Sequence, residues 1–153
     1  MTWLKALKAN AGTHSEPDNE TLVADVNKGI VQVGLINHYY WYRLKAEVGA
    51  SGMHSALAPL AARDDGYLLD VSGAGVLKSS QHQAAAQALV SFLVSVPGEH
   101  ALASSDSWEY PVGSGVTNPA LPPLSGFSPR NFSLAQIGDG TKAVTLLQQA
   151  GLV

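Results

Sequence analysis

Tyr39 and Tyr40 stand side by side in Ile36-Asn37-His38-Tyr39-Tyr40-Trp41-Tyr42-Arg43, where three tyrosines, a tryptophan, a histidine and an arginine crowd together. The rest of the chain is mostly Ala, Leu, Val, Gly and Ser. Two adjacent phenols are hard oxygen donors once deprotonated, and ferric iron is the cation that suits them best. Zinc would draw on His and Cys, and calcium on carboxylates and carbonyls. The wall of a core or pocket has the same aromatic composition. On residue types alone, both readings stand.

Little else in the chain suggests chemistry. No Gly-x-Ser-x-Gly elbow precedes a helix, and Asp64-Asp65 reads as a charged turn. Gly73 and Gly75 lack the further glycine of a dinucleotide fingerprint and the Gly-Lys-Ser/Thr ending of a phosphate loop. His14, His54, His82 and His100 do not fall at metal-ligand spacing and read as solvated. The absence of cysteine excludes disulfides and thiolate sites. A net charge of −3 with scattered Lys and Arg leaves no basic stripe for nucleic acid.

Neighbouring residues on a helix diverge by about 100°, so adjacent phenols converge on one ligand most readily at a helix end. There the unpaired N–H groups also favour phenolate and bound anions. The sequence supplies such an end. Val31-Gln32-Val33-Gly34-Leu35-Ile36 alternates and then runs apolar, predicting a short buried strand. Asn37 suits an N-cap, and Tyr40, Leu44 and Val48 follow at helical spacing until Gly49 stops them. Upstream, Trp3, Leu4 and Leu7 mark a first helix that Asn10-Ala11-Gly12 ends. Asp18 or Asn19 caps a second, with Leu22, Val23 and Val26 inward until Gly29. This α-β-α run predicts an α/β fold.

Downstream, 67–71 predicts another strand continuing through glycines to Val76-Leu77. Ser79 or Ser80 caps a helix whose apolar stripe is Ala85, Leu89, Phe92, Leu93 and Val96. Pro97 opens a shorter helix to about Ala103, and 108–112 is expected to be extended. Pro119, Pro122, Pro123 and Pro129 hold the next stretch as loop. Ser133 and Gln136 suggest a capping box, and a last helix after Gly140 carries Val144, Leu146 and Leu147 to Gly151.

Three blocks resemble, in order and rough spacing, the ferric-ion-binding proteins of bacterial ABC importers: 36–41 around the tyrosine pair, 72–80 and 143–152. Those are type II periplasmic-binding proteins, with two lobes closing on iron. The resemblance covers nearly the whole chain but half the length of a family member, so it implies the C-terminal part of that fold. It would be a mixed sheet flanked by helices, with the N-terminal lobe mostly missing. Residues 1–70 with 121–153 would form the lobe carrying the tyrosine pair, and 71–120 would cross to the other lobe. Tyr39 and Tyr40 match the iron-ligating phenols; Asn37 and Asn19 match the side chains that hold a synergistic anion, phosphate or carbonate. His38 stands where an asparagine is common, which leaves it a donor behind the ligands or a surface histidine on the first turn. Arg43 is expected to pair with a carboxylate rather than the anion. The remaining ligands, commonly a histidine and a carboxylate, would come from the other lobe.

Implied with the resemblance are Fe(3+) as cargo, an importer permease as partner, no catalysis, and a periplasmic or membrane-anchored extracellular location. Any export signal is expected in the missing half, since no charged leader precedes Trp3. Self-association over the bare interlobe face is a further expectation. A related receptor for thiamine, a polyamine or an organic anion, and a non-catalytic interaction domain, remain the alternatives.

Overall fold

The computed structural model describes residues 1–11, 15–113, 115–129 and 134–153. Helix α1 spans Thr2–Ala11. Helix α2 (Asn19–Lys28) begins at Asp18, whose carboxylate accepts the Thr21 N–H at 2.7 Å. That bond holds the Asp18 carboxyl below its ordinary range. α2 ends at Gly29, where a left-handed φ of 76° turns the N–H back onto the Asp25 and Val26 carbonyls. Helix α3 (His38–Val48) carries the aromatic run and stops at Gly49. A 3-10 turn, Ala50–Gly52, follows it directly.

Helices α4 (Gln83–Leu93) and α5 (Val96–Ala103) meet at a sharp corner. Ser95 caps α5 by accepting the Gly98 N–H at 3.3 Å, while its hydroxyl donates to the Phe92 carbonyl at 2.6 Å. The break moves Val96 out of the stripe expected of α4, and Leu89 and Phe92 of that stripe are exposed. The cap of α4 also shifts: His82 holds the position expected of Ser79 or Ser80, and its N–H donates to the Ser80 hydroxyl at 3.1 Å. A 3-10 turn at Leu124–Gly126, the single turn α6 (Leu134–Ile137) and α7 (Thr141–Ala150) complete the order. The capping box expected at Ser133, and His14, lie outside the described residues.

The expected α/β architecture is overturned. Among the described residues there is no β-strand, so no mixed sheet stands between the helices. A strand exists only where a neighbour takes its N–H and C=O groups, and neither 31–36 nor 67–71 has one. The Val31 N–H instead donates to the Asp25 carbonyl at 3.4 Å. Those of Tyr67 and Leu68 close turns onto Asp64 and Gly66. The alternating side chains are uncovered: Val33 and Val71 are 79 % and 64 % exposed. Segment 108–112 departs too, because Trp108 takes a left-handed φ of 57°.

What positions the aromatic helix is its packing on α2. Val23 of α2 is one of three buried apolar side chains among the described residues, with Val116 and Leu121. The chain entering α3 passes close over α2 at Gly34, where a Cβ would come within 3.1 Å of Leu22. Asn27 then fastens the far end of the pair. Its amide donates to the Gly52 carbonyl at 2.9 Å and accepts from the His54 and Ser55 N–H groups at 2.8 and 3.0 Å.

Candidate functional site

The first turn of α3 brings three of the four residues singled out in the sequence together. Asn37 occupies the N-cap position with extended backbone, but its side chain does not cap the helix. Its amide donates instead to the Tyr39 hydroxyl at 3.3 Å. The Tyr39 and Tyr40 rings lie with centroids 4.3 Å apart, tilted by 42°. Adjacent phenols at a helix start do converge here. Asn19 is not part of this group. It stands exposed as the first residue of α2, Asp18 takes the cap, and no hydrogen bond joins Asn19 to Asn37 or either phenol among the described residues.

The hydrogen bond with Tyr40 raises the Tyr39 phenol above its ordinary range, against an opposing pull from the Asn37 amide. Partial burial and the negative charge of Glu109 add to the rise. The Glu109 carboxylate accepts a hydrogen bond from the Ser72 hydroxyl at 3.3 Å. Tyr40 also lines an open groove of about 360 Å³ between α2 and α3, with Glu20, Asp25, Lys28 and Arg43 on its walls.

A second aromatic layer backs the pair. Tyr42 stacks on Trp108, centroids 5.4 Å apart and planes within 19°. His38, half-buried, donates from Nε2 to the Trp108 carbonyl at 2.8 Å and lies 5.0 Å from the Tyr110 ring. The Tyr42 stack and the His38 bond both fall on Trp108, whose left-handed φ of 57° is a backbone region that a bulky residue rarely enters. Burial pushes the Tyr42 phenol up and the Tyr110 phenol to about 12, the latter aided by Tyr42 and Tyr67. Both rings pack into this second layer, Tyr42 on Trp108 and Tyr110 on His38 and Phe127. His54, His82 and His100 are exposed, as their spacing suggested.

Among the described residues no ion pair joins Arg43 to a carboxylate. Its guanidinium lies over both phenol rings, 5.0 Å from the Tyr39 centroid and 5.7 Å from that of Tyr40, and its Nε donates to the Asp106 carbonyl at 3.0 Å. Sequence reading missed this role, although the signal was present: position 43 is the helical neighbour of both 39 and 40. It also missed Glu109 and the left-handed Trp108, for which only the folded chain supplies a signal. No group of three or more His, Asp or Glu side chains able to hold a metal occurs among the described residues. Oxygen donors of the phenol and amide type are what this turn offers.

No family model matches the chain. Individual proteins do. The Fe(3+)-binding periplasmic protein of Serratia marcescens is 35% identical over 154 residues, covering 100% of this chain and 45% of that protein. The major ferric iron-binding protein of Neisseria meningitidis is 34% identical over 99% of this chain and 45% of its own length. Iron-bound HitA from Pseudomonas aeruginosa superposes with a TM-score of 0.87 at 39% identity, over 98% of this chain and 48% of that one. The chain is thus similar along its whole length to ferric-iron-binding periplasmic proteins, and it spans a little under half of theirs.

Proposed function

We propose that this chain, a relative of the ferric-iron-binding periplasmic proteins, carries the two-tyrosine share of an iron(III) site in the binding component of an ABC importer. The observation that carries the reading is the Tyr39–Tyr40 pair at the start of α3, with centroids 4.3 Å apart and the Asn37 amide on the Tyr39 hydroxyl. Two phenolates supply hard oxygen ligands with two negative charges, which a trivalent cation needs and a neutral ligand does not. The Asn37 N–H steadies one of them as its proton leaves, since an amide donor favours the charged acceptor. No step of catalysis enters this function.

In the same reading Asn37 and Asn19 hold the phosphate or carbonate that completes the iron shell, and the loaded protein presents its cargo to a permease. The relatives named periplasmic support placing it in that compartment. Among the described residues no helix is long and apolar enough to cross a membrane. Residues 1–70 and 121–153 then form the lobe bearing the pair. Segment 71–120 crosses to a facing lobe and returns, its return tied to α3 through the bond between His38 and Trp108. A longer chain showing 71–120 packed wholly on the tyrosine lobe would overturn that division.

Iron titration of Tyr39→Phe and Tyr40→Phe, followed in the visible phenolate-to-iron band, tests the main claim. Phe keeps the ring and its packing and removes only the oxygen. Each variant is expected to lose most of the band and most of the affinity while keeping its helix content. If the rings are merely a wall, each change costs at most about 1 kcal/mol for one hydrogen bond, and iron affinity stays where it was. That second pattern would sink the ligand assignment.

A further inference from the structure

Side chains of adjacent helical residues point about 100° apart, yet the Tyr39 and Tyr40 rings lie 4.3 Å from each other. Something must hold them together. The Asn37 amide reaches the Tyr39 hydroxyl alone, and the hydrogen bond between the two phenols is lost once both give up their protons to a metal. One helical position neighbours both tyrosines, being four residues after the first and three after the second; Arg43 occupies it. Its guanidinium carbon is 5.0 and 5.7 Å from the two ring centroids, inside the roughly 6 Å reach of a cation–π contact.

The guanidinium is itself fixed from outside the helix. Arg43 Nε donates to the Asp106 carbonyl at 3.0 Å, so the turn after α5 sets the orientation of its plane. That turn is anchored a second time nearby, by the bond from His38 to the Trp108 carbonyl. The stack uses the ring faces and leaves the hydroxyls to Asn37 and to a bound cation.

We propose that Arg43 is a positioning residue that clamps the two phenols into one ligand pair, using the 106–108 turn as its anchor. This rests on Tyr39 and Tyr40 being iron ligands. A pair held together beforehand spares the ordering that two free rings would undergo on binding. Arginine is required by its plane as well as its charge, because a lysine ammonium is a point charge that cannot stack on two rings while bonding a carbonyl through Nε.

Arg43→Gln and Arg43→Lys in the full chain test the clamp with two readouts. In metal-free protein with labelled tyrosines, ring-current shifts between Tyr39 and Tyr40 report the stack without any iron. Titration with ferric nitrilotriacetate reports the ligand pair. Both variants are expected to lose the mutual ring shifts and to bind iron roughly fivefold more weakly, with helix content in the far ultraviolet unchanged. Retention of shifts and affinity in either variant overturns the clamp, and rescue by lysine would show that charge alone suffices. Loss of helix in both variants overturns it in favour of a plain structural role. Absence of a phenolate–iron band on the unsubstituted chain would instead overturn the iron reading, while the ring shifts still decide whether Arg43 orders the pair.

Discussion

A phenol binds iron only after losing a proton whose ordinary pKa is about 10. At Tyr39 the Tyr40 hydrogen bond, burial and Glu109 hold that proton more firmly, and the Asn37 amide works against them. Iron and protons therefore compete at this turn. The sign follows directly: apparent iron affinity rises with pH and falls as protons return to both phenols. Binding near neutrality is expected to release roughly two protons per iron, measured at constant pH with the chelator's own release subtracted. Tyr39→Phe should bring the release down to about one; release near zero in the unsubstituted chain would show that the phenols are not ligands. Asn37→Ala removes a hydrogen bond that favours the Tyr39 phenolate. Its iron affinity should fall most at the acid end of a pH series and converge on that of the unsubstituted chain at the alkaline end. Much of this site was legible in residue types, since Tyr-Tyr behind an Asn at a helix start is a local pattern. Asn19 was not placed by the same means: its neighbour Asp18 is the stronger cap, and sequence cannot say which of the two takes that role.

Local signals also fixed the helices. Gly29, Gly49 and Gly151 end α2, α3 and α7 with positive φ, and Pro97 opens α5. Strands failed because alternation reports only that one face wants cover, and cover must come from a distant partner. Where 31–36 and 67–71 find none, the same pattern yields irregular chain with exposed valines and leucines. The break between α4 and α5 was legible at Pro97, but how tightly the corner closes was not, for its key residue has no side chain. At Gly98 an added Cβ would fall 2.0 Å from the Phe92 carbonyl oxygen, a backbone atom that cannot swing aside. Gly98→Ala is therefore expected to force α4 and α5 apart and cost about 2 kcal/mol or more. Gly126→Ala, with nothing within 4 Å of its Cβ, should cost little. Urea unfolding of the two variants makes the comparison, and equal midpoints would show that the corner opens freely.

The chain exposes 11156 Å², whereas a compact monomer of 16.0 kDa exposes about 7,400 Å². The excess is far more than the roughly 1,600 Å² that a standard protein interface removes from both partners together. Much of it is apolar. Val33, Leu77 and Val112 are each at least three-quarters exposed, and Leu89, Phe92, Val94 and Val96 add a patch along α4 and its corner. Water opposes such a surface at about 25 cal/mol for each Å² of apolar area, so covering even part of it outweighs the entropy of association at moderate concentration. The chain in isolation is accordingly expected to self-associate. Its mass by light scattering should climb above 16.0 kDa as concentration rises, and a dye that fluoresces on apolar surface should bind at low concentration and be displaced as the assembly forms. A polypeptide corresponding to the remainder of the Serratia marcescens relative is the natural competitor, because the chain matches only 45% of that protein. Adding it should return the scattering mass to that of a one-to-one complex. A chain that stays monomeric at every concentration, and binds neither dye nor competitor, would show that this surface is stable in water as it stands.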